Sequence, residues 1–542
     1  MTLRHGNPVS AIFGRSGTPS SRTRQPRGRP LTSSTTLATA ACLALACLPV
    51  GPAVGQSLGV RLTPKLDQAP LDRHHWGVAV LDLRGRLLFG RNADRLFVPA
   101  SNTKLVVTAA ATALLDPEAS IRTEVYLDGA VRDGTLAGNL ILAGAGDPTW
   151  SRRCFALDTL APGACDADPL DRLRPVAAAL KRHGIVRIAG AVVGDGSAFE
   201  PTLTHPTWET DDLVWAYAAP VSALGFNENT VVATVRPGTL DGPATIDLAP
   251  DLGALLIENR VVTVTDSGPT TVTWSRSADG TTAIATGTIR LGHAGDRSQL
   301  AVPDPNRFAA LALARVLADS GISVLGGVTG TTDSTAFAAA RRGNPVAAIE
   351  SRPVRDWIFP ILNVSQNWVA EMLLKQLGLR FGGEGSWRAG LAVERRFLID
   401  SVGVDSTQFL LHDGSGLSAK NAVTPLAFAR LLGFVQRHPR FPAFSAGLPR
   451  SGSMGSLRNR FLGTPVAERV FAKTGSIGQV NSLSGYLTDP DPRRPPCRIF
   501  SVQANTHALR GRAMIQAIDS VVVEIGRRTR CAAAAGAGLP AR

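Results

Sequence analysis

Residues 231–289 alternate Val/Thr-rich runs (TVVATV, VVTVTD, TTVTWS) with Gly, Pro and Asp turns and carry almost no helical periodicity. Units of one kind flank this stretch on both sides. Before it, a helical pattern near 171–183 stops at Gly184 and gives way to a strand over 185–193. After it, a helical pattern near 306–319 is followed by Gly321-Ile322-Ser323-Val324 and a glycine pair. Two helix–Gly–strand units around a β-rich stretch predict one α+β accessory domain whose halves are separated in sequence. A small β module would be nested inside it. With 542 residues, the chain is long enough for two or three hydrophobic cores.

Outside this nest, residues 77–83 and 86–90 read as a hairpin turning at Arg84-Gly85. A helix is expected from Ser101 to about Leu115, and helical character returns over 353–378. An apolar strand at 499–503 and a helix at 508–525 follow, and the tail after Gly526 reads as loose.

The formal charge of +14 suggests a nucleic-acid partner, but the distribution argues against one. The first 56 residues hold six arginines and no acid, and the rest of the chain carries +8. No zinc-finger spacing, RNA-binding strand signature or long basic helix is present. An envelope polymer or lipid surface suits such a charge as well. After the arginines comes a twelve-residue apolar run, 37–48 (LATAACLALACL). It falls short of the ~20 residues a bilayer span needs and has the basic flank and small-residue exit of a secretory signal. Cleavage near Ala46 or Gly55, and export to the periplasm or cell-wall space, are therefore expected. Cys47 follows only a loose lipobox. An oxidising compartment permits a Cys154–Cys165 disulfide closing a short polar loop; Cys497 lies just before an apolar strand and Cys531 in the tail, and no cysteine shows metal-ligand spacing.

Three short elements carry chemistry. In Ser101-Asn102-Thr103-Lys104, positions i and i+3 share a helix face. A lysine with a depressed pKa can take the proton that keeps a serine hydroxyl from attacking. Ser365-Gln366-Asn367 places a hydroxyl and an amide where a turn enters a helix; an ordinary cap by Ser365 is the competing reading. Glu371 and Lys375, spaced i,i+4, are assigned to helix stability. Lys473-Thr474-Gly475-Ser476 reads as a strand, its glycine letting a ligand approach the backbone. Without a preceding glycine-rich loop it is no phosphate-binding lysine. Lys104 and Lys473 are two of only six lysines. Gly55–Gly59 fits the nucleophile-elbow pattern but no strand precedes it, and Asp147 and Asp195 sit in Gly-flanked turns.

Together and in this order, the three elements match the set found in penicillin-binding proteins and class A β-lactamases. The chain resembles the D-alanyl-D-alanine carboxypeptidase/endopeptidase family of class C low-molecular-mass penicillin-binding proteins, peptidase family S13. The stretches that carry the resemblance include FVPASNTKLVVTAAATALL, LAGNLILAGAGDPTW, YAAPVSALGFNEN, HDGSGLS and FAKTGSIG. Ser365 lies 264 positions after Ser101, as in a transpeptidase domain interrupted early by accessory domains. Gln366 departs from the usual Asp of the second element.

The resemblance implies an α+β multidomain fold in which an antiparallel sheet with helices is interrupted by two nested accessory domains. The division would be a leader at 1–56, a catalytic domain at 57–118 and 346–526, an accessory domain at 119–230 and 291–345, a β-rich module at 231–290, and a tail at 527–542. It also implies roles. Ser101 would attack the penultimate D-Ala carbonyl and Lys104 would take its proton. Ser365 would relay a proton, Asn367 would orient Lys104, and Lys473 would supply positive potential. Thr474, Gly475 and Ser476 would bind the substrate carboxylate. The backbone N–H groups of Ser101 and Ser476 would form the oxyanion hole. No cofactor or metal is implied. The partners would be peptidoglycan stem peptides and, as covalent inhibitors, β-lactams; no nucleic acid is expected, dimerisation is open, and envelope association would be loose. A β-lactamase or esterase with the same chemistry, or a non-catalytic wall-binding protein, would be the rival readings.

Overall fold

The computed structural model describes residues 54–155, 165–333, 335–489, 496–509 and 512–527. The secretory signal, the Cys47 lipobox, Cys531 and nearly all of the expected tail lie outside the described residues.

An antiparallel five-stranded sheet takes its strands from the two ends of the chain. Their order is Leu87–Arg91, His75–Leu81, Arg498–Asn505, Val480–Leu487, Val470–Ile477. Alternating side chains serve opposite faces. Trp76, Val78 and Val80 point to a core shared with Val54–Leu66 and Ala513–Gly526, whereas Ala79 and Leu81 join a second core. Helices Lys104–Leu114, Val354–Asn363, Asn367–Gly382 and Pro425–Arg437 build that second core. The sheet is thus held between two helical layers, and its strand Val470–Ile477 is left as an edge.

Helix Val54–Leu66 already runs where the sequence ends the leader at residue 56, and it buries Leu58, Leu62 and Leu66 at i,i+4 spacing. The Gly55–Gly59 pattern lies inside this helix and forms no strand-to-helix elbow.

The two echoed units pair with each other. The single strand expected over 185–193 is two short strands, Arg187–Ile188 and Val192–Asp195, in different sheets. Its counterpart divides likewise into Ser323–Val324 and Val328–Thr331, each running parallel to its equivalent. The switch is made at glycines because the backbones touch there. A Cβ on Gly190 would lie 2.5 Å from the Gly138 carbonyl oxygen, and one on Gly326 would lie 2.4 Å from the Gly190 carbonyl carbon. The β-rich stretch forms two three-stranded sheets. One of them pairs Thr230–Arg236 with Asp296–Ala301, a strand beyond residue 290 where the sequence ends the module.

Cys154 and Cys165 form a disulfide. Cys497 is also disulfide-bonded. Asp147 is a buried turn residue accepting from the Thr149 N–H and hydroxyl at 2.7 Å. Asp195 differs from expectation: it ends a strand and pairs with Arg341 at 2.7 Å. No described helix is long and apolar enough to cross a membrane.

Candidate active site

Ser101 lies in a single 3-10 turn, Ala100–Thr103, that leads into helix Lys104–Leu114. Ala100, immediately before it, has φ +48°, a left-handed conformation costly for a residue with a Cβ. The surroundings enforce it. Ser482 Oγ donates to the Pro99 carbonyl at 2.7 Å, and Asn102 Nδ2 donates to Ser484 Oγ at 2.7 Å, tying the turn to the sheet.

Lys104 is fully buried, and its Nζ has three neighbours: Ser101 Oγ at 3.0 Å, Asn367 Oδ1 at 2.7 Å and the Ser415 carbonyl at 2.5 Å. Asn367 Nδ2 donates to the Tyr217 carbonyl at 2.8 Å, which turns its Oδ1 toward the lysine. A neutral amine has two N–H donors and one lone pair. The amide and carbonyl oxygens can only accept, so they take the two donors and leave the lone pair to the Ser101 hydroxyl. Burial lowers the Lys104 pKa to about 7, against the raising effect of Asp413 and Glu371.

Ser365 sits between helices Val354–Asn363 and Asn367–Gly382 with φ +64°. Its hydroxyl accepts from Lys473 Nζ at 2.8 Å, and the same nitrogen donates to the Thr474 carbonyl at 2.8 Å. Burial, and secondarily the Lys104 charge, hold the Lys473 ammonium well below its ordinary pKa. The helix cap is Gln366 rather than Ser365: its Oε1 accepts from the Trp368 N–H at 2.6 Å. Gln366 Nε2 donates to Glu228, a buried carboxylate that also receives Arg153. This explains the departure from Asp at this position, since an acid would set a like charge against Glu228.

Gly475 is packed closely against its neighbours. A Cβ there would lie 2.2 Å from Ser482 Oγ and 2.6 Å from the Pro99 carbonyl oxygen. The glycine lets the strand pack against the turn that carries Ser101. Thr474 and Ser476 lie on the same edge strand, with Ser456 Oγ 2.9 Å from Thr474 Oγ1 and Asn481 donating to Ser476 Oγ.

Glu371 and Lys375 are not an exposed helix pair. Both are fully buried, and Lys375 instead pairs with Glu200 at 3.2 Å and lies over the Trp387 ring at 3.5 Å. Glu371 accepts from the Ser415 and Gly414 N–H groups and from Trp387 Nε1, and burial raises its pKa to about 7. The sequence stretch HDGSGLS proves to be the loop that presents the Ser415 carbonyl to Lys104. Asp413 anchors it, accepting from the Gly416 and Ser418 N–H groups, Asn421 Nδ2 and Trp208 Nε1 at 2.7–3.0 Å. Neither Asp413 nor Ser415 stands out in the sequence as a site residue; the turn-forming run Asp-Gly-Ser-Gly is the only local signal.

Two cavities border these groups. One of 300 Å³ includes Ser365, Asn367, Tyr217 and Arg153 in its wall. Another of 710 Å³ is bordered by Thr474, Gly475 and Ser476. No group of three or more His, Cys, Asp or Glu suited to a metal ion occurs among the described residues.

The sequence model of the D-Ala-D-Ala carboxypeptidase 3 (S13) family matches residues 60–525. A D-alanyl-D-alanine carboxypeptidase of an Actinomadura species is 30% identical over 90% of this chain and 89% of its own length. The D-alanyl-D-alanine carboxypeptidase DacB of Haemophilus influenzae is 24% identical over 75% of this chain and 80% of its own. A crystal structure of penicillin binding protein 4 from Haemophilus influenzae shares the fold, with a TM-score of 0.71 at 22% identity, covering 87% of this chain and 99% of that one.

Proposed function

Because the chain belongs to the D-Ala-D-Ala carboxypeptidase 3 (S13) family of serine-type carboxypeptidases and endopeptidases, we propose that it cleaves peptidoglycan stem peptides through an acyl-enzyme on Ser101. The observation that carries this reading is the Lys104 amine, buried and held by two obligate acceptors so that its free valence meets Ser101 Oγ. Lys104 takes the hydroxyl proton as Ser101 attacks the penultimate D-Ala carbonyl. The Ser365 hydroxyl, bonded to Lys473, passes a proton to the departing amine. An arriving substrate carboxylate docks at Thr474 and Ser476 and favours the charged form of Lys473. The backbone N–H groups of Ser101 and Ser476 receive the oxyanion. Water then hydrolyses the ester, and a β-lactam is trapped at the same serine. The protein works after export, in the periplasm or cell-wall space. Residues 57–118 and 346–526 form the catalytic domain, and 119–345 the accessory domain with its nested β module.

The test is D-Ala release from a synthetic stem pentapeptide as a function of pH. The amine accepts a proton only when neutral, and its pKa is about 7. The acylation rate therefore rises with pH through that value and falls about tenfold per unit below it. A rate flat between pH 5 and 8, or no D-Ala released, contradicts the reading.

A further inference from the structure

The 710 Å³ cavity beside the edge strand is lined unevenly for its size. Three arginines border it. Arg460 is neutralised by Asp519, with Nε–Oδ1 at 3.0 Å. Arg458 and Arg512 are exposed, and neither side chain has an ion-pair or hydrogen-bond partner among the described residues. Asn363 also lines the wall; it is 4% exposed, and its Nδ2 donor is buried without an acceptor. Two uncompensated guanidinium groups and an orphaned amide donor favour an anion, because only an acceptor satisfies all three. The only carboxylate in the lining among the described residues, Asp519, is already held by Arg460.

Position gives the anion its chemistry. Thr474 and Ser476, on which the proposed function seats the substrate carboxylate, form part of the same wall. Whatever is attached to the leaving residue therefore continues into this cavity. In the carboxypeptidase reaction the leaving group is one alanine, which fills a small part of it; pockets of about 300–1,000 Å³ hold far larger ligands. In a cross-linked substrate the leaving group is a second stem peptide, which ends in its own free carboxylate.

We infer that this cavity is a subsite for an anionic peptide branch on the leaving-group side, with Arg458, Arg512 and Asn363 receiving a carboxylate distant from the scissile bond. The inference rests on the acyl-enzyme reading above and adds which residues of this chain discriminate among cross-linked stem peptides, by favouring an acceptor branch that ends in a free acid. The bond broken is the amide between the acyl D-alanine and the branch amine. The branch leaves as a protonated amine, and water releases the acyl half from Ser101.

Two synthetic cross-linked dimers test it, one with a branch ending in a carboxylate and one in a carboxamide, beside the monomeric pentapeptide. The native enzyme cleaves the acid dimer about tenfold faster in kcat/KM than the amide dimer. Arg458→Gln/Arg512→Gln removes that preference and leaves D-Ala release from the monomer within about twofold of native. Asn363→Leu lowers the preference in the same direction. Equal native rates on the two dimers, or an equal loss on dimers and monomer in the double variant, overturn the inference. Failure of the native enzyme to release D-Ala from the monomer falls instead on the acyl-enzyme reading.

Discussion

Lys104→Met lowers the acylation rate by on the order of 10⁴-fold or more, since it removes the amine that the proposed mechanism uses as base, the only one within hydrogen-bond reach of Ser101 Oγ among the described residues, while keeping the side-chain volume. Lys104 Nζ is 3.0 Å from Ser101 Oγ, whereas Lys473 Nζ is engaged with Ser365 and the Thr474 carbonyl. The substitution also has a structural effect. Asn367 Oδ1 and the Ser415 carbonyl lose a donor, and each unsatisfied acceptor costs about 1–3 kcal/mol. Stopped-flow acylation by a chromogenic β-lactam, read beside a thermal melt, separates the two effects. The variant melts as a folded protein at lower temperature, and its acylation rate stays at the floor at every pH. A loss below about tenfold, or a rate that still follows a group titrating near 7, shows that another residue is the base.

Asp413→Ala has the largest expected effect on stability of any substitution away from the reacting atoms. Four buried donors converge on this carboxylate: two backbone N–H groups of its own loop, Asn421 and Trp208. Removing the acceptor strands all four away from water, a loss of about 3–5 kcal/mol. The same loop presents the Ser415 carbonyl to Lys104, so the damage reaches the chemistry. One of the two acceptors that fix the amine's lone pair drifts, and acylation falls even where the protein is folded. Asp413→Asn keeps one acceptor oxygen and loses less on both counts. Urea unfolding midpoints and acylation rates for the two variants check this. A stable Asp413→Ala protein with native acylation would show that the loop stands without its anchor.

The elements proposed to carry the chemistry were legible as patterns because each is local. Ser101 and Lys104 are three residues apart in sequence and remain on one turn, and the Lys473–Ser476 strand reads as a strand. The pairing of the two echoed units was legible for the same reason, since each helix–Gly–strand unit is contiguous. What sequence did not show is tertiary. Asp413 and Glu371 act through a loop and a helix that meet only when folded, and Glu371 looks like half of an ordinary i,i+4 pair until Lys375 is seen to turn to Glu200. The close packing of Gly475 against the Pro99–Ala100 turn was not legible, because that turn is remote in sequence. The cut in the strand over 185–193 depends on which sheet each half joins, and residue type does not encode that.

The central claim, that Ser101 is the acylated nucleophile, is tested most directly by intact-protein mass spectrometry after incubation with penicillin. Native protein should gain the mass of one intact penicillin, the adduct should map to the peptide containing Ser101, and it should persist long enough to be isolated. Ser101→Ala should gain nothing. A native-sized adduct on the Ser101→Ala protein, or no adduct on the native protein, would contradict the account.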